Sequence, residues 1–180
     1  MFFLGARWLR FLVAAILVIA AVSLVLVRGL PSVNNSYAVN PYPTDEIALP
    51  LRVGDRPPPL PGVTFAPYPT IITFWATWCA PCEVEMPILQ RQFEDLAVRV
   101  IGVNTAETAT HTDLQAWLAA RGITFEIITD RDGAIARAYG AGRALPVTVF
   151  LDREGVIQFA WAGALPEWEI RRWTWWIAAR

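Results

Sequence analysis

"FWATWCAPCEVEMP", residues Phe74 to Pro87, holds both cysteines of this 180-residue chain, three positions apart. The run "TIITFW" that leads into it is short, β-branched and aromatic, the character of a buried strand. A helical pattern begins at about Cys79. A cysteine at a helix N-terminus faces unpaired N–H groups and the positive end of the helix dipole. Both favour a thiolate, so the pKa of Cys79 is expected to fall from about 8.5 toward 7 or lower. The thiolate is the attacking species in disulfide exchange. Cys82, one turn further on, is within reach of Cys79 for a disulfide and is placed to resolve a mixed disulfide. Pro81 sits in the first turn, where its missing N–H costs nothing. Three other uses of the pair fit less well. A structural bridge closing so short a loop gains little entropy. Zinc needs four ligands, and His111 is the only histidine. Covalent haem attachment needs His after the second Cys, where Glu83 stands. Redox chemistry is the reading that remains.

Outward from this stretch, strand character recurs in "RVIGVN" (Arg99 to Asn104), "VTVFLD" (Val147 to Asp152) and "VIQFAWA" (Val156 to Ala162), the last two separated by the hairpin-length "REG". Helical spacing runs from Cys79 to Leu96, with Val84, Ile88, Leu89, Phe93 and Leu96 as its apolar face. A second helix is expected over Thr112 to Arg121, opened by a Thr112–Gln115 capping box and closed on Gly122. Asp132–Tyr139 and Glu167–Ala178 complete the set. Strands alternating with helices, then a hairpin and a final helix, predict an α/β domain with a mixed central β-sheet flanked by helices.

The N-terminal thirty residues read differently. From Phe11 to Val27 no residue is charged. Seventeen residues make about 25 Å of helix, short but sufficient for a transmembrane anchor. Arg7 and Arg10 precede the run and only Arg28 follows it, so the N-terminus is expected in the cytoplasm and the catalytic domain in the periplasm or another extracytoplasmic space. A cleaved signal peptide ending near "AVS" (Ala21 to Ser23) is the rival. Residues 31–61, rich in Pro, Asn and Ser, read as a tether. That assigns 1–30 to the anchor and 62–180 to one domain. The formal net charge is −1 and no stretch is strongly basic, so nucleic acid is not an expected partner. "DRDG" lacks the further ligands of a calcium loop and reads as a turn.

The stretch "FWATWCAPCEVEMP", with "IGVNTAE", "TDRDGAIARAYG" and "ALPVTVFLDREGVI", resembles the membrane-anchored thioredoxin-like proteins represented by TlpA, ResA and CcmG (DsbE-like), over roughly Val53 to Ala179. The resemblance implies a thioredoxin-like fold with an extra strand-helix unit, here "FEIITDRDGAIARAYG". It implies a thiol:disulfide oxidoreductase, commonly a reductant serving cytochrome c maturation. Its substrates would be proteins with disulfides, apocytochrome c among them, and a membrane electron donor would recharge it. No cofactor or metal is implied beyond a redox-active Cys79–Cys82 disulfide. Pro146 matches the cis-proline that faces the CxxC, which would turn the Leu145 backbone toward Cys79. Trp78, Ala80, Pro81 and Leu145 become the substrate-facing residues. Pro87 matches the proline inside the active-site helix. Glu85 matches the carboxylate of the "CxxCxxExP" pattern, with a solvated helix glutamate as the plainer reading. Thr73 stands where thioredoxins carry a buried Asp, which leaves Glu85 as the candidate for proton handling.

On the terminal helix, Ile170, Trp173 and Ile177 share a face that should cover the sheet, while Trp168 and Trp175 fall opposite with Arg171 and Arg172. Cation–π stacking, a docked partner and a membrane surface are each open for these two tryptophans. Two functional alternatives stand beside the reductant. One is the same chemistry run as an oxidant, disfavoured by the absence of His between the cysteines. The other is a non-enzymatic metal- or haem-handling chaperone, which would need a third thiol or a nearby His.

Overall fold

The structure is a computed structural model that describes residues 49–95, 98–108 and 110–180. The expected anchor, and the tether up to residue 48, lie outside the described residues. No helix among the described residues is long and apolar enough to cross a membrane.

Five strands form one mixed sheet: β1 (Thr70–Trp75), β2 (Arg99–Thr105), β3 (Glu126–Asp130), β4 (Val147–Leu151) and β5 (Ile157–Ala162), in the order β3-β2-β1-β4-β5. β1 pairs parallel with β2, and β2 with β3; β4 pairs antiparallel with β1 and with β5. Every residue of β1 and β4 is buried, which explains why both read as continuous apolar runs rather than alternating ones. The helices are α1 (Ala80–Asp95), α2 (His111–Ala120), α3 (Ala134–Ala138) and α4 (Glu167–Ala178).

Each face of the sheet has its own core. Ile71, Trp75, Val100 and Phe150 meet α1, α2 and α4 on one side. Ile72, Phe74, Ile101, Val103, Val147 and Val149 meet Ala136 and Tyr139 near α3 on the other, together with Leu49, Leu51, Leu60, Val63 and Phe65. The stretch 49–61 therefore packs against the domain instead of acting as tether. The Tyr139 hydroxyl donates to the Pro58 carbonyl at 2.5 Å, and Gly54 and Asp55 exchange backbone bonds with Ile157. Its few apolar residues are spaced irregularly among prolines, so no period announces the packing.

Three local expectations change. α2 is capped by Thr110, whose Oγ1 accepts the Asp113 amide at 3.2 Å, not by Thr112. Its other end is as expected: Gly122 takes φ 64°, and the Gly122 and Ile123 amides return to Ala119 and Leu118 in a Schellman closure. In α1, Val84 and Phe93 point outward, and the buried face is Cys82, Glu85, Met86, Ile88, Leu89, Gln90 and Gln92. On α4, Ile170 and Ile177 are fully buried and Trp173 stacks on Phe159 at 4.4 Å, whereas Trp168 and Trp175 remain about two-thirds exposed. The arginine stacking falls on other tryptophans, Arg172 over Trp173 and Arg180 over Trp176.

Candidate active site

β1 delivers the chain into the loop Ala76–Cys79, and α1 starts at Ala80. Cys79 is thus the N-cap: its carbonyl accepts the Glu83 amide at 3.1 Å, and its Sγ accepts the Cys82 amide at 3.3 Å. That second bond is the stabilisation a thiolate at this position would receive. Cys79 and Cys82 form a disulfide. Both cysteines are buried, Cys79 at 4% and Cys82 at 1% exposure, but only Cys79 lines the cleft of about 730 Å³ that Trp78, Ala80, Pro81 and Leu145 also border. The four residues expected to face substrate therefore share one cleft with the first sulfur. The Leu145–Pro146 peptide bond is cis, and Leu145 forms part of the cleft wall. A second cis bond, Ala66–Pro67, had no signal in the sequence.

Glu85 is 1% exposed, which overturns the solvated reading. Oε1 accepts the Thr148 hydroxyl at 2.6 Å and Oε2 the Leu165 amide at 3.0 Å. Burial pushes its pKa from 4.5 up to about 7, against the lowering effect of those two bonds. Thr148 lies opposite Thr73 in the β1–β4 ladder, with 3.3 Å between the hydroxyl oxygens. Thr73, in place of the Asp of thioredoxins, thus extends a hydroxyl chain that ends on Glu85. When Glu85 is ionised, Thr148 donates to it; when it is protonated, the hydroxyls have only to rotate. The Thr148 hydroxyl can thus serve the carboxyl in either protonation state, as donor to the ionised form and as acceptor from the protonated one.

A second carboxylate, missed in the sequence, organises the loop before Cys79. Glu107 accepts from the Thr77 amide and hydroxyl at 2.8 Å each, from Asn104 Nδ2 at 3.0 Å and from the Thr108 amide at 2.8 Å. Trp78 Nε1 donates to the Ala106 carbonyl at 2.8 Å. Ala106 sits in the left-handed region at φ 51°, which costs a residue with a Cβ about 1–2 kcal/mol. The clamp between these two loops holds it there. "NTAE" is the only sequence trace of the arrangement, and nothing in it marks Glu107 as a receptor for Thr77.

A CxxC at the start of a helix, a cis-proline loop across the cleft and a mixed sheet beneath them define a thioredoxin-like dithiol protein. The chain belongs to the AhpC/TSA family, whose profile matches residues 64–160. It is 31% identical over 104 residues to a thiol-disulfide oxidoreductase ResA of Geobacillus thermodenitrificans, a match covering 56% of this chain and 58% of that protein. The chain thus spans less than two-thirds of that relative. It is 31% identical to a thiol:disulfide interchange protein DsbE of Pseudomonas fluorescens over 89% of this chain and 88% of the relative. The crystal structure of a putative DsbE from Chlorobium tepidum superposes with a TM-score of 0.61 at 25% identity, covering 71% of this chain and 99% of that one.

Proposed function

We propose that the protein is a membrane-anchored, extracytoplasmic thiol:disulfide oxidoreductase that reduces disulfides in protein substrates, apocytochrome c among the candidates. The observation that carries this reading is the asymmetry of the pair. One sulfur caps a helix and opens onto a cleft, and the other is buried beside a carboxyl whose pKa lies near neutrality.

In the reduced protein the Cys79 thiolate attacks one sulfur of the substrate disulfide, and the other substrate sulfur leaves as a thiolate. The mixed disulfide places the substrate backbone along Leu145, which can pair with an extended segment. Ionised Glu85, one turn beyond Cys82 on the same helical face, takes the Cys82 thiol proton. The Cys82 thiolate then attacks Cys79 Sγ, forms the internal disulfide and expels the second substrate thiolate. Two electrons have moved to the substrate. A membrane-bound dithiol donor returns the pair to its reduced state. The uncharged run Phe11–Val27 supports the anchor and the cationic residues before it support an outward-facing domain.

Replacing Cys82 by Ser removes the resolving thiol, so mixed disulfides should accumulate on Cys79. Their recovery on non-reducing gels, followed by peptide mapping, identifies the substrates. If Cys82→Ser traps nothing while Cys79→Ser does, the roles are reversed.

A further inference from the structure

The cleft that Cys79 lines is not neutral. Its far wall, built from the turn after β3, helix α3 and the loop before Pro146, carries Arg131, Arg137 and Arg143, with Asp132 as its single carboxylate. All three arginines are exposed. Arg137 donates to the Asp132 carbonyl at 2.8 Å, while the Asp132 side chain is occupied by the Ala134 amide at 3.0 Å. Arg131 and Arg143 have no ion-pair or hydrogen-bond partner among the described residues. Elsewhere among the described residues Arg91, Arg99, Arg121 and Arg172 each meet a glutamate, while Arg56, Arg153 and Arg180 bond neutral oxygens. A chain with net charge −1 thus gathers unmatched positive charge beside its reactive sulfur. Like charges crowd together at some electrostatic cost, which an anionic group in the cleft would remove.

We propose that Arg131, Arg137 and Arg143 select the substrate: the preferred one is a polypeptide disulfide with Asp or Glu close in sequence to the attacked cysteine. The inference rests on the reductase reading above and names the substrate class of the same site. The size of the cleft sets the range. A volume of about 730 Å³ corresponds to a width of roughly 9 Å, and an extended chain advances about 3.3 Å per residue. Carboxylates within about three residues of the cysteine therefore reach the arginine wall while the sulfur lies at Cys79. Guanidinium groups suit carboxylates because their fork of donors can bind both oxygens. The opposite wall, with Trp78 and Pro81, is uncharged and adds no preference of sign.

The test uses the reduced full-length chain and three synthetic peptides, each with one intramolecular disulfide. Their cysteines are flanked by Asp and Glu, by Asn and Gln, or by Lys. Second-order rate constants for reduction are measured at low salt and at about 0.5 M salt, where charges are screened beyond a few Å. The acidic peptide is expected to react about five- to tenfold faster than the neutral one and the basic peptide slowest, with the spread collapsing at high salt. In Arg131→Gln/Arg143→Gln the acidic-to-neutral ratio should fall toward one, and Arg143→Glu should favour the basic peptide. Neither the Arg131 nor the Arg143 side chain has a hydrogen-bond or ion-pair partner among the described residues, so the variants are expected to keep the fold; near-ultraviolet circular dichroism checks this. Equal rates for the three peptides, or a preference that survives in the double variant, overturn the selectivity while leaving the reductase reading intact. Failure to reduce any of the three overturns both.

Discussion

The Glu107 carboxylate accepts both the amide and the hydroxyl of Thr77, at 2.8 Å each, and so fastens the loop that presents Cys79 to the loop that follows β2. Asn104 and Thr108 donate to the same carboxylate, so at least four donors converge on its two oxygens. Glutamine in this place keeps the shape but turns one acceptor into a donor, which then opposes donors. Glu107→Gln is expected to lower the unfolding free energy by about 1–3 kcal/mol. It should also slow disulfide exchange, because Thr77 and Trp78 lose their fixed position beside Cys79. Urea unfolding and stopped-flow exchange measure the two effects. A variant as stable and as fast as the parent would remove Glu107 from the machinery.

Glu85 makes stability depend on pH in a direction unusual for a carboxylate. Its folded pKa of about 7 lies above its ordinary 4.5. The folded state therefore binds the proton more tightly than the unfolded chain. The associated stability is complete below about pH 4.5 and is lost as pH rises through about 7. At about 1.4 kcal/mol per unit the loss amounts to about 3–4 kcal/mol. Glu85→Gln should flatten the profile of the oxidised protein over this interval, as seen in denaturant midpoints at pH 4.5, 6 and 8. Parallel profiles for parent and variant would show that Glu85 does not titrate there.

Much of this site was legible because it is local. The strand, the two thiols and the two prolines lie within eighteen residues of chain, Thr70 to Pro87, and the run-to-helix change marks where Cys79 must sit. What escaped depends on distant partners. Glu85 is buried because Thr148 and Leu165, 63 and 80 residues away, supply its hydrogen bonds. Helical spacing places Glu85 one turn from Cys82 but says nothing of what covers that face, so Val84 read as the inward residue. The cap of α2 failed for another reason. "TATHTDLQ" offers threonine with a polar residue three positions later at both Thr110 and Thr112, and the sequence alone does not separate them.

The two sulfurs should differ in reactivity once reduced. Cys79 borders the cleft and Cys82 is buried beneath it. Limiting iodoacetamide should label Cys79 first by a wide margin, as measured by peptide mass spectrometry. Preferential labelling of Cys82 would exchange the nucleophile and the resolving residue.

Topology is decided by residues outside the described part of the chain. A reporter fused after Arg180 should be active only outside the cytoplasm, and the protein should stay with membranes through a carbonate wash. Release of a shorter soluble form would indicate cleavage near Ser23 and no anchor.

The redox potential separates reductant from oxidant, and the groups around Cys79 set an expectation for it. Thiolate stabilisation favours the reduced pair and raises the potential. One amide, that of Cys82, donates to Cys79 Sγ, and three exposed arginines share the cleft. The exposed arginines contribute about 0.5 kcal/mol each and the buried amide at least about 0.5 kcal/mol, so together they supply about 2 kcal/mol. At about 30 mV per 1.4 kcal/mol this lifts a thioredoxin-like value of about −270 mV by roughly 40 mV. Ionised Glu85, one turn beyond Cys82, acts in the opposite sense. The gap to a strong oxidant near −120 mV is about 150 mV, or about 7 kcal/mol, which these groups do not span. The expected potential is therefore about −270 to −220 mV, determined by equilibration with glutathione and mass-spectrometric counting of free thiols. It should become more negative in Arg131→Gln/Arg143→Gln and less negative in Glu85→Gln. A parent value above about −170 mV would replace the reductant with an oxidant of the same fold.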